Sequence, residues 1–403
     1  PSTKSAWQSG KRSPFERRLR KPSMIIRRIE MTPVVVPARE NAINSQGKIA
    51  PLHMLSVGAS KGWSVQFDSL VKWIIRIHTD TGLTGIGESL RDVSEPRMRE
   101  IAESLLGSDP MEMNLRDLPI PYGRAYDGFE CAIYDLVGKA LSVPAFKLLG
   151  GACRDRIYCS AWFGQRDPED AGRSAAEFRE LGYDCLKFKG SLDEDPVAVC
   201  RAIKDSAGDD FRIIIDPNTR WERPAEILPF LGRLEDVGNV WTLEDPIPRW
   251  DLRNWRHLRR KSSIPLTLHT AIPYAELFQK PQDVILAIQE EAVDYFNFNG
   301  PMAWVQKLGD VAEVANMPFW HGSEVDLGLL EASYLHVAAA CKVCTLPSDI
   351  FGRLIREHDL LTEPLSFDGK GNFMVPTEPG LGVELDEKAV TRYAAGDTVT
   401  ISA

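Results

Sequence analysis

Lys187 and Lys189, alternate residues in the run LKFKG, place two amines on one face of a β-strand, because strand side chains alternate and Phe188 takes the opposite face. Two ammonium groups in a shared cavity lower each other's pKa, and desolvation pushes the same way. One lysine can then act as a base near neutral pH while the other stays charged and neutralises a substrate carboxylate. Asp216 in IIIDPN and Glu244 in TLEDP follow at steps of 27 and 28 residues. Carboxylates from successive strand ends suit a hard divalent cation such as Mg²⁺, which takes one or two carboxylates plus water and substrate oxygens. A cation on a carboxylate substrate acidifies its α-proton, so lysine base and metal ion form a working set. Structural ion pairs inside a barrel are the competing assignment for these four residues.

The spacing also specifies what must position them. Each step closes an apolar run at a polar residue that opens a loop, the pattern of repeated strand, helix and loop units in a (β/α)₈ barrel. PLTLHT ends at His269 and Thr270, VDYFNFN at Asn297 and Asn299, PFWHGS reaches His321, and CTLPSD ends at Asp349, with increments between 22 and 30 residues. IYCSAW supplies a first strand, giving eight. In a parallel barrel the strand C-terminal ends share one mouth, so these residues become neighbours around a substrate. Asn297, Asn299 and Thr270 are expected there as substrate contacts. Asp349 is expected to bind a substrate cation or hydroxyl, or to act as a structural cap.

Before the barrel, residues 24–151 read as an α+β domain: a strand from Met24, a strand pair around the TDTG turn, and helical patterns at 94–106 and 128–141. The irregular stretch 38–64 is long for a loop; it is either a mobile surface segment or a lid whose His53 and Trp63 touch the substrate. Residues 152–351 form the barrel. The Gly- and Pro-rich segment 352–403 is expected to return and complete the first domain. Residues 1–23 are strongly basic and read as a flexible or appended segment, with an anion-binding arm as the functional alternative.

At 403 residues the chain exceeds a single barrel of about 200–250 residues. A net charge of −9 argues against a general nucleic-acid surface, which needs a basic footprint, and against a membrane surface. No long apolar run suggests a membrane span. Seven cysteines with no paired CxxC set read as reduced thiols of a cytoplasmic protein.

The segments TDTGLTGIGE at 79–88, FECAIYDLVGKALSVPAFKLLGG at 129–151, LKFKG, IIIDPN, TLEDP and EPGLGVEL are together similar to those of the enolase superfamily. The resemblance is to the branch named for mandelate racemase and muconate lactonizing enzyme. It implies an α+β capping domain on a modified (β/α)₈ TIM barrel, Mg²⁺, abstraction of a proton α to a carboxylate, and Lys189 as one base. It also suggests a symmetric homo-oligomer. The family's third metal ligand is a carboxylate closing the fifth strand, where this chain has His269 and Thr270. His269 therefore points to a transition metal, a two-carboxylate site, no metal, or an imidazole holding a substrate carboxylate. The family's lysine or aspartate on the sixth strand is here Asn299, which cannot be a base. His321 remains, as a weak base or a general acid paired with Asn299.

The leading expectation is a lyase acting on a small carboxylate: Lys189 takes the α-proton of a sugar acid or similar hydroxy acid and His321 protonates the departing hydroxyl. A racemase, epimerase or cycloisomerase working on a carboxylate or amino-acid derivative is the second. The third is a non-catalytic carboxylate-binding descendant with an incomplete metal site.

Overall fold

The computed structural model describes residues 23–45, 71–190, 195–221, 223–271 and 280–403. Among the described residues three strands come first: β1 (Ile26–Val34), β2 (Lys72–Thr79) and β3 (Thr84–Glu88), paired antiparallel in that order. The β2–β3 turn reverses at Gly82, whose φ of 84° suits glycine. Helices follow at Glu95–Leu105 and Tyr126–Leu141, close to the predicted ranges. The second is buried from Tyr126 to Gly138, pressed on the sheet. TGIGE makes this close approach possible: a Cβ at Gly85 would lie 2.2 Å from the Ala132 carbonyl oxygen, and one at Gly87 2.1 Å from that of Gly128.

IYCSAW is not one strand. β4 (Arg156–Tyr158) leaves the barrel sheet, and β5 (Ala161–Phe163) begins it. β6 (Cys185–Phe188), β7 (Arg212–Ile215), β8 (Val240–Glu244), β9 (Leu266–Ala271), β10 (Tyr295–Asn299) and β11 (Phe319–His321) continue in sequence order, all parallel. Helices such as Pro168–Glu180, Pro196–Ala207 and Met302–Val314 form the outer layer.

The expected eighth strand at CTLPSD is not regular. Residues 343–349 close the barrel through single bridges: Phe319 N–H donates to the Val343 carbonyl, Ser348 N–H to that of Tyr158, and Asp349 N–H to that of His321. Pro347 has no N–H for a ladder, which breaks the run. The result is a modified TIM barrel.

β12 (Asn372–Met374) pairs antiparallel with β4, and β13 (Val399–Ser402) pairs antiparallel with β1, giving the first sheet the order β13-β1-β2-β3. Acids of the first domain cap barrel helices. Glu88 accepts from Leu327 and Leu330 N–H at the start of Gly328–Ala340, and Glu130 from Met302 and Ala303 N–H at the start of Met302–Val314. Lys72 bonds Glu88 and, at 2.6 Å, Asp326, so charge as well as apolar packing joins the two halves. No helix among the described residues is long and apolar enough to cross a membrane.

Candidate active site

Strand alternation sorts the site residues. In-register parallel neighbours share a face. Cys185, Ile214, Trp320 and Leu346 pack together inside the barrel, whereas Phe188, Ile215, Leu243, Phe298 and Phe319 belong to the layer under the helices. Lys187 pairs with Ile214, and Asn297 with both His269 and Trp320, so these side chains face inward. By the same count Lys189, Asp216, Glu244 and Asn299 point into the mouth. Thr270 pairs with Phe298, and Phe298 with His321, which turns Thr270 and His321 outward.

At the mouth the amines and acids meet. The Lys187 ammonium lies 2.7 Å from Glu244 Oε2, 2.8 Å from Asp349 Oδ2 and 3.6 Å from Asp216 Oδ2. Its far side rests 5.8 Å from the centre of the Trp320 ring. Lys189 donates to Asp216 Oδ2 at 2.5 Å, and Asp216 Oδ1 accepts the Asn218 N–H. Asn297 Nδ2 donates to Glu244 Oε1 at 2.8 Å, and His269 Nδ1 lies 3.6 Å from that oxygen.

The expected mutual lowering of the lysine pKa values does not hold for Lys187. Burial lowers it, but Asp349, Glu244 and Asp216 outweigh burial and raise it above the ordinary lysine value, so it stays an ammonium. Burial likewise pushes Asp216 up, yet Lys189 and Lys187 hold it well below the usual carboxylate range. Glu244 is pushed up to about 8 by burial and by Asp216, against Lys187. His269 is lowered by burial and by Arg249 and Lys187, which keeps its imidazole neutral.

His321 does not reach this cluster. Its ring stacks on Tyr334 at 4.0 Å, its Nδ1–H donates to the Gly322 carbonyl at 2.6 Å, and burial lowers its pKa to about 4. The Asn299 side chain turns to Glu324 rather than to His321, with Nδ2 3.5 Å from Glu324 Oε1. Thr270 is buried facing the helix layer. Asp349 is placed at the mouth on Lys187. His53 and Trp63 lie outside the described residues. Of the 38–64 stretch, residues 38–45 run along the mouth beside β5: Gly164 N–H donates to the Ile43 carbonyl and Gln165 N–H to Asn44 Oδ1.

Two contributions went unread in the sequence. Asp245 directly follows Glu244 and so belongs to the opposite face by alternation, but a left-handed backbone (φ 44°) turns it, and its carboxylate accepts the His269 N–H and pairs with Arg249. Glu324 meets Arg91 of the first domain at 2.8 Å, a contact between segments far apart in the chain that no local pattern announces.

The donor set fits a divalent cation. Glu244, Asp245 and His269 each offer a ligand atom, all within 4.8 Å of one another, and His269 Nε2 is buried with no hydrogen-bond partner among the described residues.

This geometry can be set beside known proteins. The family described as enolase C-terminal domain-like matches residues 170–389, and the mandelate racemase / muconate lactonizing enzyme N-terminal domain matches residues 46–150. The chain belongs to the mandelate racemase/muconate lactonizing branch of the enolase superfamily. Within this branch it is 26% identical over 344 residues to N-succinyl-L-Arg/Lys racemase of Bacillus cereus, covering 78% of this chain and 88% of that one. It is 27% identical over 348 residues to arabinonate dehydratase of Saccharolobus solfataricus, covering 79% and 89%. It is 25% identical over 360 residues to chloromuconate cycloisomerase of Cupriavidus pinatubonensis, covering 81% and 92%. The crystal structure of the Bacillus cereus racemase shares its fold at a TM-score of 0.75 and 23% identity, over 94% of this chain and 100% of that one. Members of the superfamily typically bind a divalent metal, and its relatives here include dehydratases, racemases and cycloisomerases.

Proposed function

We propose that this chain removes the proton α to a carboxylate and eliminates water from a sugar acid or similar small hydroxy acid, with Lys189 as the base. The observation that carries this reading is the one-sidedness of the mouth. Two inward lysines stand on β6 and at the residue that follows it, the inward groups at the mouth end of β10 are Asn297 and Asn299, and His321 is turned into the helix layer. Two-base racemisation needs a competent base on each face of the α-carbon, whereas elimination needs one.

Lys187, fixed as a cation by three carboxylates, serves to hold the substrate carboxylate. Lys189, which donates to Asp216 in the resting site, first gives up a proton to solvent; the neutral amine then takes the α-proton, and the C–H electron pair becomes the carbon–carbon double bond of an enediolate. As the β C–O bond breaks, the Lys189 ammonium returns that proton to the leaving hydroxyl on the same face. Water departs, and the enol left behind relaxes to a 2-keto acid. This route replaces His321 as the proton donor. A divalent cation held by Glu244 and its neighbours would add positive charge that favours ionisation of the α-carbon.

The dehydratases among the relatives, at 24–28% identity, support this choice. A cycloisomerase also moves a proton on one face only, and the chloromuconate relative favours it as the second reading. The test is a panel of acid sugars in D₂O with divalent metals, monitored for α-deuterium and 2-keto acid. Lys189→Met is expected to lose about 10²–10⁴ in rate, the usual share of a positioned base. His321→Gln is expected to stay within about tenfold of the parent; a loss as large as that of Lys189→Met would return His321 to the chemistry and sink the single-base route.

A further inference from the structure

We infer that the site selects a nitrogen-preferring divalent transition ion over Mg²⁺, because His269 puts an imidazole into the inward row beside Glu244. The inference deepens the proposed function but is read by binding alone. His269 and Asn297 are paired neighbours on β9 and β10, and both address the same carboxylate oxygen, Glu244 Oε1, while Glu244 Oε2 is taken by Lys187. An ion on the Oε1 side would leave the Lys187 contact in place and take over the oxygen to which Asn297 Nδ2 now donates.

The donor atoms of Glu244, Asp245 and His269 lie within 4.8 Å of one another. Two ligands at about 2.0–2.2 Å from one ion stand at most about 4.4 Å apart, so the cluster closes on an ion by a few tenths of an ångström. The His269 nitrogen that faces Glu244 is Nδ1, 3.6 Å from Oε1, and Nε2 is buried without a hydrogen-bond partner, so among the described residues neither ring nitrogen is tied up by a hydrogen bond. Both oxygens of Glu244 already face donors, Lys187 and Asn297, and Asp245 faces Arg249 and the His269 N–H, so the imidazole is the one donor of the three that no cation or N–H neutralises, and it sets the preference for the ion. Mg²⁺ demands an octahedron of oxygens and sheds water reluctantly, whereas imidazole suits Zn²⁺, Ni²⁺ and Fe²⁺.

Calorimetry of the untagged full chain with NiCl₂, ZnCl₂ and MgCl₂ tests this. One equivalent of Ni²⁺ or Zn²⁺ is expected to bind at least about 100-fold tighter than Mg²⁺, and His269→Ala to erase that margin, since losing even an outer-shell partner weakens metal binding by about 10–100-fold. His269→Asp is expected to bind Mg²⁺ more tightly than the parent does. Equal affinity for Mg²⁺ and Ni²⁺, or Ni²⁺ binding unchanged in His269→Ala, overturns the inference. Should His269→Ala melt below the assay temperature, the visible spectrum of the Co²⁺-loaded parent against His269→Asp decides, identical bands counting against imidazole ligation. Selective Ni²⁺ binding with no product from any acid sugar would retire the dehydratase reading and leave this one standing.

Discussion

His321 and His336 are both buried as neutral imidazoles, each with a pKa lowered to about 4 chiefly by burial. His336 Nε2–H donates to the Leu381 carbonyl at 3.0 Å, so its tautomer is set by the fold. The unfolded chain takes up these protons near pH 6.5 and the folded chain only near 4, so their contribution to stability is complete above pH 6.5 and is lost as pH falls through that window. The loss is about 3 kcal/mol for each imidazole. Glu244 and Glu130, pushed up to about 8, act in the opposite sense over the same range, so the difference between variants is what reports on the imidazoles: in urea melts His336→Gln, whose amide can still donate to Leu381, should lose about 3 kcal/mol less than the parent between pH 7 and pH 4, and equal losses would contradict the assignment. At this scale Lys187, Lys189, Asp216 and Glu244 were legible because the KxK alternation and the strand-end acids share one parity. His321 was not, because PFWHGS offers Trp320 and His321 as adjacent candidates and only the register with Phe298 says which faces the interior.

Whole elements were read more securely than their edges. Seven parallel barrel strands and the helices between them follow from the repeated unit length, but the eighth segment carries Pro347 and closes by single bridges, which periodicity alone cannot reveal. The first sheet and its covering helix illustrate why the glycines of TGIGE are needed. Gly87→Ala is expected to destabilise by about 1–3 kcal/mol, since its Cβ would collide with the backbone of Tyr126–Leu141 rather than with a movable side chain end. Gly232→Ala, within the helix Pro224–Val237 and with nothing inside 4 Å of its Cβ, is expected to stabilise by about 0.5–1 kcal/mol. Thermal melts of the two variants should move in opposite directions, and a shift of the same sign in both would refute the packing account.

The two halves behave as one folding unit if the carboxylates that cross between them matter. Glu130 satisfies two N–H groups at the start of Met302–Val314 from inside the first domain. Glu130→Ala leaves both donors buried without a partner, which is expected to lower stability by about 2–3 kcal/mol while leaving a single unfolding transition. Two separated calorimetric transitions in that variant would identify Glu130 as a hinge pin between independently stable domains; two in the parent would contradict the coupling outright. None of these cross-domain contacts is announced by local pattern, because each joins residues more than a hundred positions apart.

The pairing of β13 with β1 sets a timetable for biosynthesis. At about 5–20 residues per second, the ribosome needs roughly 20–75 s after emitting the first strand before its partner is polymerised. Throughout that interval the nascent sheet presents an open edge, able to recruit a neighbouring polypeptide. Pairing with β13 is what closes that edge.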